Sequence, residues 1–386
     1  MNRRDFVSKA LTLGGLAMAG GLSPQLVTGA SRSKKLLVLG GTSFLGPALV
    51  EAALIAGHEV TLFNRGITNV EWFPHLEKLR GLRDANAQQQ DLTALNGRRW
   101  DAVVDVWPFD PDIVGSCADF FKDRTDRYVY VSSCSAYEDN LPAPPLHPKE
   151  AEDWPTCSFE PSAQGWRKYA VGKAESERRV RSVFGERCTL IRPGVIKGYR
   201  DAIPWADDLW FYAVRVQRGG NLIAPGTGDD SFQLIDVRDV ARFMVTCIDR
   251  LLYGAFNVAG EPQNFRDFLE LCKRVTLSDA ELVWIPQKFL HEQGLEPRKN
   301  FPFWSPNPEN KPYGDTDSAK AKRVGLRFRP PEDMLVESLR WFAECSPHET
   351  RINSLGASEV GGDIQWKYLS SVKEAEVLAA WKKHTS

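Results

Sequence analysis

The chain has 386 residues, of which 42% are hydrophobic and 26% are charged, and its formal net charge at pH 7 is −1. This length is sufficient for one large globular domain or two coupled domains. The balanced charge implies no polyanionic partner. Seven cysteines occur without a C-x-x-C pair, which argues against a zinc site or a redox motif, so no metal site is predicted.

The first thirty residues have the composition of an export signal. Arg3 and Arg4 precede Phe6, an apolar stretch rich in Gly and Ala covers 10–22, and small residues follow at 28–30. This order resembles a twin-arginine signal, which implies the twin-arginine export machinery as a partner and a periplasmic or otherwise exported location. The apolar stretch is too short for a stable membrane span. The alternative is a basic N-terminal tail on a cytoplasmic protein.

A strand, a glycine-rich turn, a helix and a second strand come next. The apolar run at 36–39 predicts a buried parallel strand, 48–56 a helix that ends at Gly57, and 58–63 another strand. This is the context that a dinucleotide-binding fingerprint requires, with the helix N-terminus directed at the pyrophosphate. The turn residues predicted to bind the cofactor are Gly40, Thr42, Ser43, Phe44, Leu45 and Gly46.

Further cofactor contacts are predicted at the ends of the following strands. Asn64 and Arg65 follow the second strand, where an NAD-selective site usually has an acidic residue. Because Arg65 is able to pair with a 2′-phosphate, the cofactor is NAD or NADP, with NADP favoured; the alternative is a surface arginine. Asp91 and Leu92 follow the expected third strand, and Trp107 ends the expected fourth strand beside the cofactor.

A strand that ends in hydroxyls and a Tyr-x-x-x-Lys helix form the predicted catalytic set. The apolar strand over 127–133 ends at Ser133, and Tyr169 and Lys173 lie four residues apart on a helix, so both project from one face. A free phenol has a pKa near ~10 and is a poor base at neutral pH. A nearby ammonium favours the phenolate, which makes Tyr169 the predicted proton-transfer group. Ser133 is predicted to hold the substrate hydroxyl or carbonyl, and Lys173 also to bind the nicotinamide ribose.

These motifs resemble the extended short-chain dehydrogenases/reductases, and within them the NAD-dependent epimerase/dehydratase family. The matching stretches are LVLGGTSFLG, GHEVTLFNRG, YVYVSSCSAY, YAVGK, IRPGVIKG, FQLIDVRDVA and GAFNVAG. The most similar branch contains bacterial epimerase-like proteins and chloroplast stem-loop RNA-binding proteins. By the family pattern, Ser43 replaces the middle glycine of GxxGxxG and Pro193 lies near the nicotinamide amide. Cys134 and Ser135 stand where 4,6-dehydratases carry an Asp-Glu pair, which argues against that reaction.

The resemblance implies an α/β fold, a doubly wound parallel-sheet Rossmann fold with a smaller mixed C-terminal substrate domain. The predicted divisions are the signal segment 1–30, the Rossmann domain 31–193 joined by about 233–260, the substrate domain 194–232 and 261–345, and a C-terminal extension 346–386. A capping box at 371–374 predicts a final helix in that extension. Residues 283–313 are predicted to form an irregular wall of the site.

The substrate side is indicated by aromatic and arginine residues. Candidates for lining a polar cleft are Trp205, Trp210, Phe211, Tyr212 and Arg215, and packing in the core is an equally open alternative. The leading prediction is an exported NAD(P)-dependent epimerase or oxidoreductase for a sugar- or polyol-like substrate. One alternative is a Rossmann relative that binds RNA or another ligand, and another is a cytoplasmic reductase fed by an external nicotinamide pool. A homodimer is left open.

Overall fold

The computed structural model describes residues 32–83, 90–106, 110–137, 155–201, 209–306, 316–344, 357–360, 363–366 and 368–386. The predicted export signal, Trp107, Trp205 and the side chain of Trp210 lie outside the described residues. Among the helices of these ranges, none combines the length and the apolar character needed to span a bilayer.

The strands are β1 (Lys35–Leu39), β2 (Glu59–Asn64), β3 (Glu77–Arg80), β4 (Ala102–Asp105), β5 (Tyr128–Val131), β6 (Cys188–Pro193), β7 (Val195–Lys197), β8 (Asn221–Pro225), β9 (Ser231–Asp236), β10 (Gly254–Val258), β11 (Pro262–Asn264), β12 (Glu281–Ile285), β13 (Ala357–Val360) and β14 (Asp363–Trp366). Seven of them form the main sheet in the order β3-β2-β1-β4-β5-β6-β10, and every neighbouring pair is parallel. The order reverses between β1 and β4, which is where an open α/β sheet binds its ligand, at the carboxyl ends of the strands. The predicted Rossmann-type fold is confirmed.

The helices are α1 (Leu45–Ile55), α2 (Pro111–Phe121), α3 (Gly165–Phe184), α4 (Leu209–Gln217), α5 (Val237–Asp249), α6 (Phe265–Thr276), α7 (Gln287–Glu292), α8 (Ala319–Arg323), α9 (Pro331–Glu344) and α10 (Ser371–Thr385). Helices α1 and α5 pack on one face of the main sheet, and α2 and α3 pack on the other. On β1, Leu36 and Val38 join the core that includes α1 and α5, whereas Leu37 and Leu39 join the core that includes α2 and α3. Successive strand residues point to opposite faces, and both faces are buried, which explains why β1 is apolar from Leu36 to Leu39.

A second hydrophobic core lies outside the main sheet. It is built from α4, α6, α9 and α10 together with the parallel pair β8–β12. Phe211 and Tyr212 are buried in this core, at 0% and 1% exposure, and Tyr212 Oη donates to the Pro302 carbonyl at 2.7 Å. Core packing, and not a substrate cleft, is therefore the structural role of these two aromatic residues. The predicted domain boundaries stay a prediction.

Two local predictions are corrected by the structure. The stretch expected to be an irregular wall includes most of β12 and all of α7, because its apolar residues pair with β8 and enter the second core. The final helix is confirmed, but its N-cap is Ser370, whose Oγ accepts from Lys373 N at 3.2 Å. Glu374 does not complete a capping box, because it turns inward to a buried arginine, Arg215.

Candidate active site

The turn after β1 has the backbone shape of a phosphate-binding loop. Gly40 and Gly41 have φ values of +118° and +91°, which residues with a side chain rarely adopt. A Cβ placed on Gly46 would lie 2.7 Å from Gly41 Cα, so the first turn of α1 approaches the loop more closely than a side chain permits. Phe44 also has a positive φ, +41°, a strained conformation for a non-glycine residue. The glycines predicted for the cofactor turn thus have a specific backbone requirement.

The N-terminus of α1 is open to an anion. Its first turn contains no acidic residue and its cap residue makes no side-chain capping bond, whereas α2 and α5 are capped by Asp110 and Asp236. Uncapped N–H groups at a helix N-terminus favour phosphate groups. Thr42 is buried in the turn and Ser43 is exposed at its surface. Together with the glycine geometry, this arrangement fits the pyrophosphate of a dinucleotide.

The end of β2 lies against the same turn. Asn64 Nδ2 donates to the Gly40 carbonyl at 3.0 Å, and Asn64 Oδ1 accepts from Gly66 N at 2.8 Å, so this amide supports the turn. Arg65 is exposed beside it. Arg80, which pairs with Asn64 in the sheet register, donates from Nη1 to the Gly66 carbonyl at 3.1 Å. The structure therefore adds a second guanidinium next to Arg65, which sequence reasoning missed because the register of β3 was not known.

The predicted adenine side contains one exposed and one buried residue. Asp91 Oδ1 accepts from Thr93 N and Thr93 Oγ1 at 3.1 and 2.6 Å, and these hydrogen bonds lower the pKa of the exposed Asp91 carboxyl. Leu92 is buried in the core under α2. Asp91 and Leu82 also exchange backbone hydrogen bonds, which fixes the segment beside the sheet. Contact of Asp91 and Leu92 with a cofactor stays a prediction.

Helix α3 places Tyr169 and Lys173 on one face. Lys173 Nζ lies 5.8 Å from the centroid of the Tyr169 ring and 4.9 Å from that of Tyr130. It donates to the Val131 carbonyl at 2.7 Å, at the end of β5. The predicted pairing of the phenol and the ammonium on the helix is therefore present in the geometry, next to the carboxyl edge of the sheet.

The Lys173 ammonium is almost completely buried, with 2% exposure. Burial lowers its pKa from 10.5 to about 8, against the opposing influence of the Asp105 and Glu177 carboxylates. A lowered pKa in a site of this kind is a typical property of functional lysines. At neutral pH the side chain still carries its proton and supports a negative charge nearby.

Ser133 follows β5 directly and caps a short 3-10 helix. Its Oγ accepts from Ser135 N at 3.1 Å and lies 3.0 Å from Ser135 Oγ. The side chain is 7% exposed. Pro193, at the end of the adjacent β6, is buried and pairs with Val258 of β10. Ser133 and Pro193 therefore both occupy the carboxyl edge of the sheet, and their contacts with substrate and nicotinamide stay a prediction.

A buried ion pair connects helix α3 to this edge. Arg192 of β6 donates to both carboxylate oxygens of Glu177 on α3, at 2.8 and 2.6 Å, and both side chains are 3% exposed. Arg192 Nη1 also donates to Tyr137 Oη at 2.8 Å, and Tyr137 Oη donates to Asn257 Oδ1 at 2.7 Å. The network joins α3, β6, β10 and the segment after Ser133. Sequence reasoning missed it, although a charged residue inside an apolar strand such as IRPG is a usable signal.

The described residues contain no group of three or more His, Cys, Asp or Glu side chains arranged to hold a metal ion.

Comparisons with known proteins agree with this geometry. Residues 114–259 match the NAD-dependent epimerase/dehydratase family. A chloroplast stem-loop binding protein of 41 kDa from Arabidopsis thaliana is 26% identical over 335 residues, which cover 81% of this chain and 79% of that protein.

Solved structures with the same fold include several sugar-nucleotide enzymes. A UDP-glucose 4-epimerase from Thermotoga maritima with UDP-glucose has a TM-score of 0.58 at 17% identity, covering 80% of this chain and 99% of that one. A UDP-N-acetylglucosamine 4-epimerase from Methanobrevibacter ruminantium has a TM-score of 0.59 at 19% identity, covering 81% of this chain and 99% of that one. The enzyme WbmG of Bordetella bronchiseptica, in complex with NAD and UDP, has a TM-score of 0.57 at 17% identity, covering 81% of this chain and 96% of that one. At 17–19% identity, these similarities show the fold alone.

Proposed function

We propose that this chain is an NAD(P)-dependent sugar epimerase or oxidoreductase in which Tyr169 moves the proton. The observation that carries the proposal is the buried Lys173 ammonium beside the Tyr169 ring, at the sheet edge that also holds Ser133. The glycine turn and the open N-terminus of α1 supply a fitting site for the cofactor.

Tyr169, Lys173 and Ser133 then have distinct roles. When bound, the cofactor supplies an acceptor, and later a donor, for the carbinol hydrogen and its electron pair. The Tyr169 phenolate oxygen accepts the hydroxyl proton of the substrate and returns it later. The Lys173 ammonium favours the phenolate, and its Nζ binds the cofactor ribose. Ser133 Oγ donates a hydrogen bond to the reacting oxygen of the substrate.

The cofactor turn residues Gly40, Thr42, Ser43, Phe44, Leu45 and Gly46 are proposed to hold the pyrophosphate. We further propose that Arg65, with Arg80 beside it, favours NADP, because two guanidinium groups at the end of β2 suit a 2′-phosphate. The solved relatives in complex with cofactor contain NAD. Titration of both cofactors decides between them, and an unchanged NADP affinity in Arg65→Ala would remove the role given to Arg65.

A hexose is the proposed substrate. The relatives of known structure act on UDP-linked sugars by their names, which makes UDP-glucose and UDP-N-acetylglucosamine the first probes. We also propose export through Arg3 and Arg4, and an exported enzyme would meet free sugars or glycosides instead. A reporter fused to residues 1–35 tests export, which should fail when both arginines are changed to lysine.

The test of the function compares wild type with Tyr169→Phe, both loaded with cofactor. Each is incubated with UDP-glucose, UDP-N-acetylglucosamine, glucose and methyl glucoside, and epimer or ketone formation is followed by NMR. Because the variant loses only the hydroxyl that transfers the proton, its rate should fall by ~10²–10⁴-fold while cofactor binding is retained. Ser133→Ala should lower the rate less than Tyr169→Phe does. Turnover of the phenylalanine variant near the wild-type rate would refute the mechanism.

Stem-loop binding is the second candidate function, favoured by the plant relative at 26% identity. The net charge of −1 argues against it. Two results together would support it: the protein binds an RNA hairpin with steep salt dependence, and it turns over none of the sugar probes.

A further inference from the structure

One face of α3 extends the catalytic pair by one residue. Trp166 precedes Tyr169 by three positions, as Tyr169 precedes Lys173 by four, and such residues are neighbours on a helix surface. Their exposure rises towards the helix N-terminus: Lys173 is 2% exposed, Tyr169 is half-buried and Trp166 is 57% exposed. The row therefore leads from the interior of the protein to an open surface beside the phenol.

The Trp166 indole is held in a defined orientation. Its ring stacks on the Tyr169 ring with centroids 5.1 Å apart and an interplanar angle of 26°. More than half of the side chain nevertheless stays in contact with solvent. A large aromatic face fixed next to a reacting group, and still open, is suited to bind an apolar surface of a ligand.

Three other described aromatic residues, Phe211, Tyr212 and Tyr130, have no open face. Phe211 and Tyr212 are buried in the second core. Tyr130, which also neighbours Lys173, is fully buried in the main sheet. Trp166 is thus the exposed aromatic side chain stacked on Tyr169.

We propose that Trp166 is a substrate-binding platform whose indole face contacts the C–H face of a hexopyranose ring. The inference rests on the proposed function and narrows it, because a closed sugar ring presents a flat array of C–H groups that an acyclic polyol does not. The reacting hydroxyl lies at Tyr169 Oη while the ring rests on the neighbouring indole. Trp166 therefore selects ring-form sugars.

The experiment measures binding and turnover separately in the cofactor-loaded, full-length protein. Trp166→Ala removes the platform and Trp166→Phe keeps a smaller aromatic face. Ile55→Ala is the control, since Ile55 is an apolar side chain with 88% exposure at the far end of α1, on the opposite edge of the sheet. The probes are UDP-glucose, UDP, methyl β-D-glucopyranoside and the acyclic sorbitol. Calorimetry gives Kd, and NMR saturation transfer reports contact with the sugar ring protons.

For Trp166→Ala, loss of one aromatic contact should raise Kd and KM for UDP-glucose about tenfold, with kcat within about twofold of wild type. The Kd and KM of Trp166→Phe for UDP-glucose should lie between those of wild type and Trp166→Ala, and Ile55→Ala should match wild type. The Kd for UDP should not change in any variant. Wild type should bind the glucoside more tightly than sorbitol. An equal loss for UDP and UDP-glucose, an unchanged Kd, or a fall in kcat with a shifted pH profile would overturn the platform.

The outcomes also separate this inference from the function. Unchanged Kd and KM for UDP-glucose in Trp166→Ala, with normal turnover, refute the platform and leave the function intact. Ring binding that is weakened in Trp166→Ala, without turnover in any protein, refutes the function and supports the platform. Wild type that binds neither UDP-glucose nor the glucoside overturns both.

Discussion

Lys173 carries an ammonium group that is buried at the carboxyl edge of the main sheet. Its contacts include the Val131 carbonyl at 2.7 Å and the faces of Tyr130 and Tyr169. Desolvation therefore outweighs the stabilisation by more distant charges, and the pKa falls to about 8. Removing an ammonium group from water destabilises the fold as long as the group stays charged.

A pH-dependent cost in stability follows from this pKa. Below pH 8 Lys173 is protonated in both the folded protein and the unfolded chain, and the cost of burying its charge is fully present. Between pH 8 and 10.5 the folded protein has released the proton while the unfolded chain retains it. Unfolding then takes up a proton, so the unfolding free energy of wild type should rise relative to Lys173→Met, by on the order of 3 kcal/mol across this window. Urea unfolding of the cofactor-free proteins at pH 7, 8, 9 and 10 measures it. Lys168→Met, on the exposed side of the same helix, is the control, and a difference that stays flat from pH 7 to 10 would argue against the buried ammonium.

The sequence predicted the proposed catalytic pair more completely than the residues that surround it. The four-residue spacing of Tyr169 and Lys173 dictates a shared helix face, and that pairing is present. The exposure of Trp166 and the burial of Phe211 depend on how separate segments meet, which no local pattern records. The role of Arg192 was not predicted for the same reason, because its partner Glu177 lies on another element.

Among the elements, the turn between β1 and α1 was the most predictable. Its glycines have positive φ or lack room for a Cβ, and both demands are local. Helix α10 was predictable as a helix but not in its contacts. The residue that looked like half of a capping box, Glu374, is instead bonded to Arg215 and accepts from Ile223 N at 2.9 Å.

The C-terminal helix should therefore be an integral part of the second core. Glu374→Ala leaves the Arg215 guanidinium buried and uncompensated, which should lower the unfolding free energy by about 3–5 kcal/mol. Glu376→Ala is a matched control on the same helix, because Glu376 is 63% exposed and its contact with Lys373 is 3.9 Å long. That control should change stability by less than about 0.5 kcal/mol. Denaturant unfolding measures both, and equal effects of the two variants would show that the ion pair does not hold the helix.

For the whole molecule, the alternation of strands and helices predicted a doubly wound parallel sheet, whereas the order of its strands, with β10 (Gly254–Val258) at one edge, comes from the structure. Each apolar strand is buried on both faces, and right-handed parallel crossovers leave few other topologies. The second core was less accessible, since it joins α4, β8, β12 and α10 across more than 150 residues of sequence. Contacts of such separation are set by packing and not by local periodicity.

The central claim is that Tyr169, supported by Lys173, transfers the proton while the cofactor exchanges hydrogen with a sugar. The most direct test is the nicotinamide absorbance of cofactor-loaded wild type and Tyr169→Phe after rapid mixing with each hexose probe, at matched cofactor content. The account predicts an absorbance change in wild type with at least one hexose, and a rate at least ~10²-fold lower in the variant. Equal rates in the two proteins, or no change in wild type with any hexose, would contradict it.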